Sequence, residues 1–217
     1  MIDSYKHKGL RKQLVDSLRY KGIIDERVLK AMEEVPRHFF FDSSFLKYAY
    51  DDKPFPIGAG QTISQPYTVA FQTELLDVKK GDKILEIGTG SGYQACILAK
   101  LGAKVYTVER IKSLYIKSKN LLSEMGYLSI KVFYGDGYKG LSAFKPFDKI
   151  LITAAAPFIP EMLIGHLKTG GILVLPLGGG DVQIMTRVIK ISEKEHKTED
   201  HGLFRFVPLL TDKEENE

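Results

Sequence analysis

The stretch Lys-Ile-Leu-Glu-Ile-Gly-Thr-Gly-Ser-Gly at residues 83–92 predicts both the fold and the kind of ligand. Its first half is an apolar run interrupted by one acid, a pattern typical of a strand entering a sheet. The glycines at alternate positions, Gly88, Gly90 and Gly92, leave the backbone without Cβ atoms where the chain must turn. Residues 93–100 favour helix. A strand, a glycine turn and a helix form the first unit of a nucleotide-cofactor site, because the helix N-terminus presents free N–H groups.

The type of cofactor depends on the residues around these glycines. Gly90, Gly92 and Ala95 satisfy the dinucleotide pattern G-x-G-x-x-G/A, and the acid Glu109 follows about 20 residues later, as that pattern requires. Glu86 favours a different ligand, because its charge would repel a pyrophosphate and attract, directly or through water, a sulfonium and an ammonium group. The spacing Glu-x-Gly-x-Gly-x-Gly resembles motif I of the class I S-adenosylmethionine (SAM) methyltransferases.

Composition sets the broad class. The chain has 217 residues, of which 44% are hydrophobic and 27% charged, as in ordinary globular proteins. No apolar run approaches the roughly 20 residues that span a bilayer, and residues 1–12 lack the apolar centre of a secretory signal. The one cysteine, Cys96, cannot form an internal disulfide, so we expect a cytoplasmic protein. The net charge of +4 does not indicate nucleic acid, and we expect a monomer with neither a nucleic-acid nor a membrane partner.

Repeated β-α-β units follow the glycine turn and predict a parallel sheet with helices on both faces. A proline-rich and glycine-rich segment at residues 53–66 is predicted to be irregular, and such a length is uncommon in a compact domain unless it has a function. Two β-rich runs near the end predict an antiparallel hairpin at the sheet edge, with a charged, mobile tip at Ser192–His201. The predicted helices are residues 9–21, 25–34, 66–76, 93–100, 113–125 and 161–167, and the predicted strands are residues 84–87, 104–109, 130–134, 147–153, 172–176, 182–191 and 203–210.

Acidic residues stand at the carboxyl ends of neighbouring strands of this sheet, together with Thr153. That edge is where open α/β sheets bind ligands. Glu109 can accept hydrogen bonds from the ribose hydroxyls, and Asp136 can accept one from the exocyclic amine of adenine. Because Glu86 is a third acid on a successive strand end, the set argues against unrelated solvent-facing positions.

The methyl acceptor must be inferred from other segments, since a SAM fold does not name its substrate. The fourth strand of the core ends in Thr153-Ala154-Ala155-Ala156-Pro157, without the Asn/Asp-Pro-Pro-aromatic cluster that amino-methyltransferases acting on adenine place there. Methylation of cytosine C5 needs a nucleophilic cysteine, and Cys96 is in the wrong place. With no obvious activating base, we expect an acceptor that is already nucleophilic at pH 7, such as a carboxylate with a pKa of about 4.

A second, more specific resemblance lies in residues 52–66, Asp-Lys-Pro-Phe-Pro-Ile-Gly-Ala-Gly-Gln-Thr-Ile-Ser-Gln-Pro. This segment is similar to the one just before the SAM core in the protein-L-isoaspartate (D-aspartate) O-methyltransferase family. The pattern Gly-x-Gly-Gln-Thr-Ile-Ser-x-Pro is highly specific. Shorter matches run through most of the chain, at Val35-Pro36-Arg37, Tyr93-Gln94-Ala95, Val108-Glu109-Arg110, Gly135-Asp136-Gly137, Pro146-Phe147-Asp148, Thr153-Ala154-Ala155 and Phe206-Val207-Pro208-Leu209.

The resemblance implies the class I SAM-methyltransferase fold, a Rossmann-like three-layer α/β sandwich with an antiparallel C-terminal hairpin and added N-terminal helices. It implies one domain, with helices and a covering segment at 1–66, the SAM-binding core at 67–180, and the hairpin and tail at 181–217. It also implies a protein repair enzyme that transfers a methyl group from SAM to the α-carboxylate of an L-isoaspartyl residue or the β-carboxylate of a D-aspartyl residue. The ester then collapses to a succinimide, whose hydrolysis restores some normal aspartate.

The resemblance further implies roles for individual residues. Ser64 matches the active-site serine, and main-chain groups near Ser64 and Val207 are expected to hold the substrate peptide in an extended form. We interpret Ser64 as a hydrogen-bond donor that orients the substrate carboxylate for in-line attack from about 3–3.5 Å, and we expect no metal. The expected SAM-binding residues are Thr62, Ile63, Ser64, Glu86, Gly88, Thr89, Gly90, Ser91, Gly92, Glu109, Arg110, Asp136, Gly137 and Thr153.

Three other functions stay open at this point. The first is a class I methyltransferase that acts on RNA or a small molecule. The second is an NAD-dependent oxidoreductase that uses the pattern formed by Gly90, Gly92 and Ala95. The third is an inactive SAM-fold interaction module, against which the intact residues 61–66 are the main argument.

Overall fold

The computed structural model describes residues 2–214. Within that part of the chain, none of the helices combines the length and the hydropathy that a membrane span requires. The helices are α1 (Tyr5–Tyr20), α2 (Glu26–Glu34), α3 (Pro66–Leu76), α4 (Tyr93–Lys100), α5 (Lys112–Glu124) and α6 (Glu161–Ile164), with short 3-10 helices at Arg37–Phe40, Ser43–Tyr48, Gly137–Lys139 and Ser142–Phe144. The strands are β1 (Phe55–Gly58), β2 (Gln61–Ile63), β3 (Lys83–Ile87), β4 (Lys104–Glu109), β5 (Lys131–Tyr134), β6 (Phe147–Ile152), β7 (Leu167–Leu177), β8 (Gln183–Lys190) and β9 (His196–Phe204).

Seven strands form the main sheet, in the order β5-β4-β3-β6-β7-β8-β9. The five strands from β5 to β7 are parallel, whereas β8 runs antiparallel to both of its neighbours. The chain moves from β3 outward through β4 and β5 and then returns to the other side of β3 with β6. The carboxyl ends of β3 and β6 therefore form the topological switch point at which open α/β sheets bind ligands.

Alternate residues of the central strands pack into two cores, one on each face of the sheet. Ile84 and Leu151 belong to the core that helices α1 to α5 cover, whereas Leu85 and Ile150 belong to the core on the opposite face. Burial on both faces explains why these strands are nearly continuous apolar runs. The opposite face is covered by α6 and short 3-10 helices. The helix predicted at 161–167 is shorter than expected, since it ends at Ile164 and the chain is already extended in β7 from Leu167.

The N-terminal helices pack beside α3 and α4. The first one begins earlier than predicted, because the Ser4 hydroxyl accepts a hydrogen bond from His7 N at 3.3 Å and caps the helix before Gly9 is reached. The second ends at Glu34 as predicted but begins at Glu26, one residue later than predicted, because Asp25 is its cap and accepts a hydrogen bond from Arg27 N at 2.9 Å.

The covering segment, residues 53–66, forms a small hairpin and is not irregular throughout. Strands β1 and β2 pair antiparallel to each other and stay separate from the main sheet. Gly58, Ala59 and Gly60 connect them with φ values of 99°, 51° and 66°, a left-handed turn that glycine makes accessible. Ile57 and Ile63 are buried under the hairpin, so its apolar residues serve as the contact with the core.

The last strand lies where we predicted a mobile tip. Strand β9 covers His196–Phe204, whereas the predicted strand at 203–210 is extended only at its start. The prediction was wrong because β9 is an edge strand with most side chains in solvent, so its hydrogen bonds to β8 require no apolar pattern. The apolar segment after it crosses the end of β6, where Ala155 N donates to Val207 O and Leu209 N donates to Ala155 O, both at 2.7 Å.

Candidate active site

A cavity of about 820 Å³, open to solvent, lies at the carboxyl ends of β3, β4 and β6. The residues after β1 and those after β9 complete its walls. Of the predicted SAM-binding residues, those that line it are Thr62, Ile63, Ser64, Gly88, Thr89, Gly90, Ser91, Glu109, Arg110, Gly137 and Thr153.

The glycine turn is fixed by the strands on either side of it. Gly88 has a φ of 96°, and its N–H donates to Val108 O at 2.9 Å. The Thr153 hydroxyl donates to Gly88 O at 2.8 Å, so a Cβ at Gly88 would lie only 2.5 Å from the Thr153 Oγ. Gly92 does not line the cavity. It precedes α4 with a φ of 88°, and a Cβ there would press on Leu122.

Glu109 binds the glycine turn through its carboxylate. One oxygen accepts a hydrogen bond from Gly90 N at 2.8 Å, and the other accepts one from Ile111 N at 2.9 Å. Each carboxylate oxygen keeps a second lone pair, so the group can still accept from two ligand hydroxyls. Burial raises the pKa of Glu109, and these backbone hydrogen bonds oppose that rise by stabilising the ionised form.

Glu86 lies beneath the cavity and not on its wall. Its side chain is fully buried, and neither carboxyl oxygen has a partner in normal hydrogen-bonding geometry within residues 2–214. Burial raises its pKa to about 8, the Thr107 hydroxyl opposes this rise and the charge of Glu109 adds to it. Glu86 is therefore mainly protonated at pH 7, so the fixed negative charge assumed from the sequence is absent until a cation approaches.

Asp136 and Gly137 meet the site differently. The Asp136 carboxylate caps the following 3-10 helix by accepting a hydrogen bond from Tyr138 N at 2.9 Å, and it lies 3.7 Å from the Lys139 ammonium. Asp136 does not line the cavity. Gly137 does line it. A Cβ at this glycine would lie 2.4 Å from Ile87 Cγ2, so any other residue would displace the end of β3.

Arg110 connects the cavity to the end of the described chain. Its guanidinium forms an ion pair with Glu214 at 2.6 Å and donates to Asp212 O at 3.1 Å. These two contacts hold the chain that follows Leu210. Leu210 itself lines the cavity. Thr211, whose contact with the cofactor the sequence left open, is not part of the wall.

Ser64 lies two residues before α3. The first turn of that helix is bound by a side chain from much earlier in the sequence. Asp52 accepts a hydrogen bond from Tyr67 N at 2.8 Å, in the first turn of α3, and also forms an ion pair with Lys21. The N-cap residue Gln65 supplies no side-chain cap. Within residues 2–214, the Ser64 hydroxyl forms no hydrogen bond of its own, so it is available to a ligand.

A second, larger space of about 1830 Å³, the groove, adjoins the cavity. Its walls are α3, the end of β9 and the residues that follow β9. The cavity and the groove share Thr62, Ser64, Thr153 and Val207. The two residues predicted to contact substrate, Ser64 and Val207, therefore stand where the two spaces meet.

Several wall residues were not predicted from the sequence. Ile87 and Val108 end β3 and β4, and an apolar strand end next to a glycine turn is a signal that could have identified them. No local signal marks Leu209 and Leu210, which reach the wall through long-range pairing with the end of β6. The remaining unpredicted wall residues are Gln61, Val69, Tyr93, Gln94, Ile111, Ala154 and Pro208.

Comparison with known proteins gives one consistent result. A sequence profile described as protein-L-isoaspartate (D-aspartate) O-methyltransferase matches residues 9–215. Protein-L-isoaspartate O-methyltransferases of Flavobacterium johnsoniae and Christiangramia forsetii are 59% and 57% identical to this chain, each match covering 98% of this chain and 100% of the relative.

Solved structures are similar as well. A protein-L-isoaspartate O-methyltransferase of Plasmodium falciparum, in complex with S-adenosyl-L-homocysteine, gives a TM-score of 0.81 at 26% identity, over 92% of this chain and 98% of that one. Another structure described as a protein-L-isoaspartate O-methyltransferase gives 0.82 at 28% identity, over 91% of this chain and 65% of that one. The predicted fold class is confirmed, whereas the roles assigned to single residues stay predictions.

The buried carboxyl of Glu86 predicts an unusual dependence of stability on pH. Its folded-state pKa is raised to about 8, while the unfolded value is near 4.3. Between these values the folded state keeps a proton that the unfolded state has lost, so the free energy of unfolding falls as pH rises, by up to about 1.4 kcal/mol per pH unit.

Glu86→Gln removes this titration. Urea unfolding of wild type and Glu86→Gln at pH 5, 6, 7 and 8 should give a difference in unfolding free energy that shifts steadily in favour of the variant as pH rises. Parallel pH profiles for the two proteins would contradict a raised pKa at this position.

Proposed function

The chain belongs to the protein-L-isoaspartate (D-aspartate) O-methyltransferase family, and we propose that its cavity binds SAM while the groove holds the damaged polypeptide. The enzyme is a SAM-dependent carboxyl methyltransferase that esterifies isoaspartyl residues in protein repair. The prediction of this activity from sequence is confirmed. The family also decides between the open alternatives, against the NAD-dependent oxidoreductase, the RNA or small-molecule methyltransferase and the inactive module.

One observation carries the assignment of the two spaces. Ser64 borders both the cavity and the groove. The cavity is built on the glycine turn at the carboxyl ends of the sheet, where open α/β folds bind cofactors, whereas the groove runs along α3 and the end of β9 and is open to a longer chain. A methyl group carried in the first space and a carboxylate carried in the second can meet only where the two join.

The residues of the cavity fit the chemistry of SAM. Glu109 keeps lone pairs for the two ribose hydroxyls after accepting from Gly90 N and Ile111 N. Gly88 and Gly137 line the cavity, and a Cβ at either would collide with Thr153 or Ile87 and so displace the wall. When bound, SAM supplies an electrophilic methyl group on a sulfonium. Asp136 is proposed to reach adenine only if its carboxylate accepts a second hydrogen bond beside the one from Tyr138 N.

Ser64 is proposed to donate a hydrogen bond to the substrate carboxylate and so to orient it. The β1–β2 hairpin and Ile63 exclude water from the side opposite the sheet, since Ile63 is buried and lines the cavity. A dry site favours the transfer, because an anion and a cation are neutralised together and the carboxylate must first lose water. The carboxylate needs no base, since its pKa of about 4 leaves it ionised at pH 7.

The state of the protein in solution is part of the proposal. We propose a monomer, as expected from the sequence. Cys96 is buried and forms no disulfide, which supports the reducing setting of the cytoplasm, and we propose neither nucleic acid nor membrane as a partner. Sedimentation equilibrium should give the mass of one chain, 24.4 kDa; a stable dimer would refute this part.

The activity itself predicts a sharp discrimination between two peptides. An isoaspartyl peptide should release methanol after incubation with enzyme and SAM, whereas its normal aspartyl twin should release none, because the normal residue presents its carboxylate on a side chain and not beside the peptide backbone. Methanol release from both peptides at similar rates would show that the groove does not recognise the misplaced carboxylate.

Ser64→Ala should lower kcat on the isoaspartyl peptide roughly 10- to 100-fold, the effect of one hydrogen bond to a charged group. Binding of S-adenosylhomocysteine, measured by calorimetry, should change little. Ser142→Ala is a matched control, since Ser142 is exposed and lines neither space. Unchanged kcat in Ser64→Ala would remove this hydroxyl from the reaction.

A further inference from the structure

Three aromatic rings form one wall of the groove. Tyr67 and Phe71 lie one helical turn apart on the same face of α3, with ring centroids 5.7 Å apart. Phe204, the last residue of β9, stacks nearly parallel to Tyr67 at 6.4 Å and contacts Phe71 at 5.1 Å. All three are half-buried and line the groove. We call these three residues the aromatic wall.

The rings of the aromatic wall are only partly buried, unlike the fully buried rings of the core. The rings pack against the edge of the core and keep part of their surface open to the groove. Exposed aromatic surface that lines a concave site is typical of a binding position and not of a solvated face.

The charges around the groove are of one sign. Among the residues of 2–214 that form its lining, Arg205 is the cation, and there is no carboxylate. Arg205 is exposed, and no ion pair within the same described chain engages it. A polypeptide segment that enters the groove therefore meets apolar rings and positive charge.

From this arrangement we propose that the aromatic wall is a subsite for an apolar or aromatic side chain that neighbours the isoaspartyl residue in the damaged polypeptide. The groove is continuous with the cavity at Ser64, and Tyr67 is in the first turn of the helix that Ser64 precedes. A chain whose carboxylate reaches Ser64 thus passes the rings with its adjacent residues. This inference rests on the proposed function and adds a sequence preference to it.

Hydrogen bonds fix the backbone on both sides of the aromatic wall. Asp52 holds Tyr67 N at 2.8 Å, and Gln183 accepts a hydrogen bond from Phe206 N at 2.9 Å, close to Phe204. Both sides of the subsite are therefore anchored by hydrogen bonds, so it is formed before a peptide binds. A preformed apolar surface gives binding without the cost of ordering side chains.

The experiment compares isoaspartyl peptides that carry Phe, Leu, Ala or Lys at the residue before or after the damaged one. For wild type, Phe or Leu on one side should raise kcat/KM roughly tenfold over Ala, and Lys should lower it. The gain should appear in KM, with kcat nearly constant, because the wall contacts substrate equally before and during methyl transfer.

Phe204→Ala should abolish the advantage of the Phe and Leu peptides, so that their kcat/KM approaches that of the Ala peptide. Thr198→Ala is the matched control, since Thr198 is an exposed residue of the same strand that lies outside the groove. Calorimetry with S-adenosylhomocysteine verifies folding of each variant. Tyr67→Leu replaces Phe204→Ala if the latter fails to fold, and it should reduce the advantage of the Phe and Leu peptides over the Ala peptide.

The outcomes separate the two claims. Equal kcat/KM for the Phe, Leu and Ala peptides on both sides would overturn the subsite but not the activity. A preference that survives in both Phe204→Ala and Tyr67→Leu would also overturn it. If wild type methylated none of the isoaspartyl peptides in the set, the Ala peptide included, the proposed function itself would be refuted.

Discussion

The two hydrogen bonds that the Glu109 carboxylate accepts from Gly90 N and Ile111 N are the contacts on which the cofactor cavity depends. They join the glycine turn after β3 to the end of β4, so the spacing of two strands fixes the shape of the turn. A carboxylate that accepts backbone N–H groups is held by charge-assisted hydrogen bonds, which are about twice as strong as neutral ones. The same group faces the cavity, so the residue that shapes the site is also one that can bind in it.

The opposite wall depends on a buried cation. The Arg37 guanidinium donates to Ala49 O at 3.1 Å and lies 5.0 Å from the Tyr93 ring, which lines the cavity. It also donates to Lys53 O, where the covering segment begins. Burial lowers the pKa of Arg37 to about 10, so it stays charged at pH 7. One side chain thus links the N-terminal layer, the covering hairpin and α4.

Sequence predicted those parts of the fold that local periodicity and glycine positions encode. Helix α3 and strand β4 have the predicted bounds, because Pro66 begins one and Glu109 ends the other. Strand β9 was missed because an edge strand carries no apolar alternation. About half of the residues that line the cavity were predicted, through strand ends and a family motif. Leu210 was missed because it follows the segment that pairs with the distant end of β6, which no local pattern encodes. The depth of Glu86 was equally invisible, since spacing gives position along a strand but not exposure.

The burial of Glu86 changes how the site distinguishes a cation from an anion. From sequence, an ionised acid was expected to repel pyrophosphate and attract a sulfonium. A carboxyl with a pKa of about 8 is largely neutral at pH 7, so it does neither in the empty site. A cation nearby stabilises the ionised form and lowers that pKa, whereas an anion raises it further. By this linkage, a cation that binds near Glu86 would displace its proton, and such binding would strengthen as pH rises toward 8.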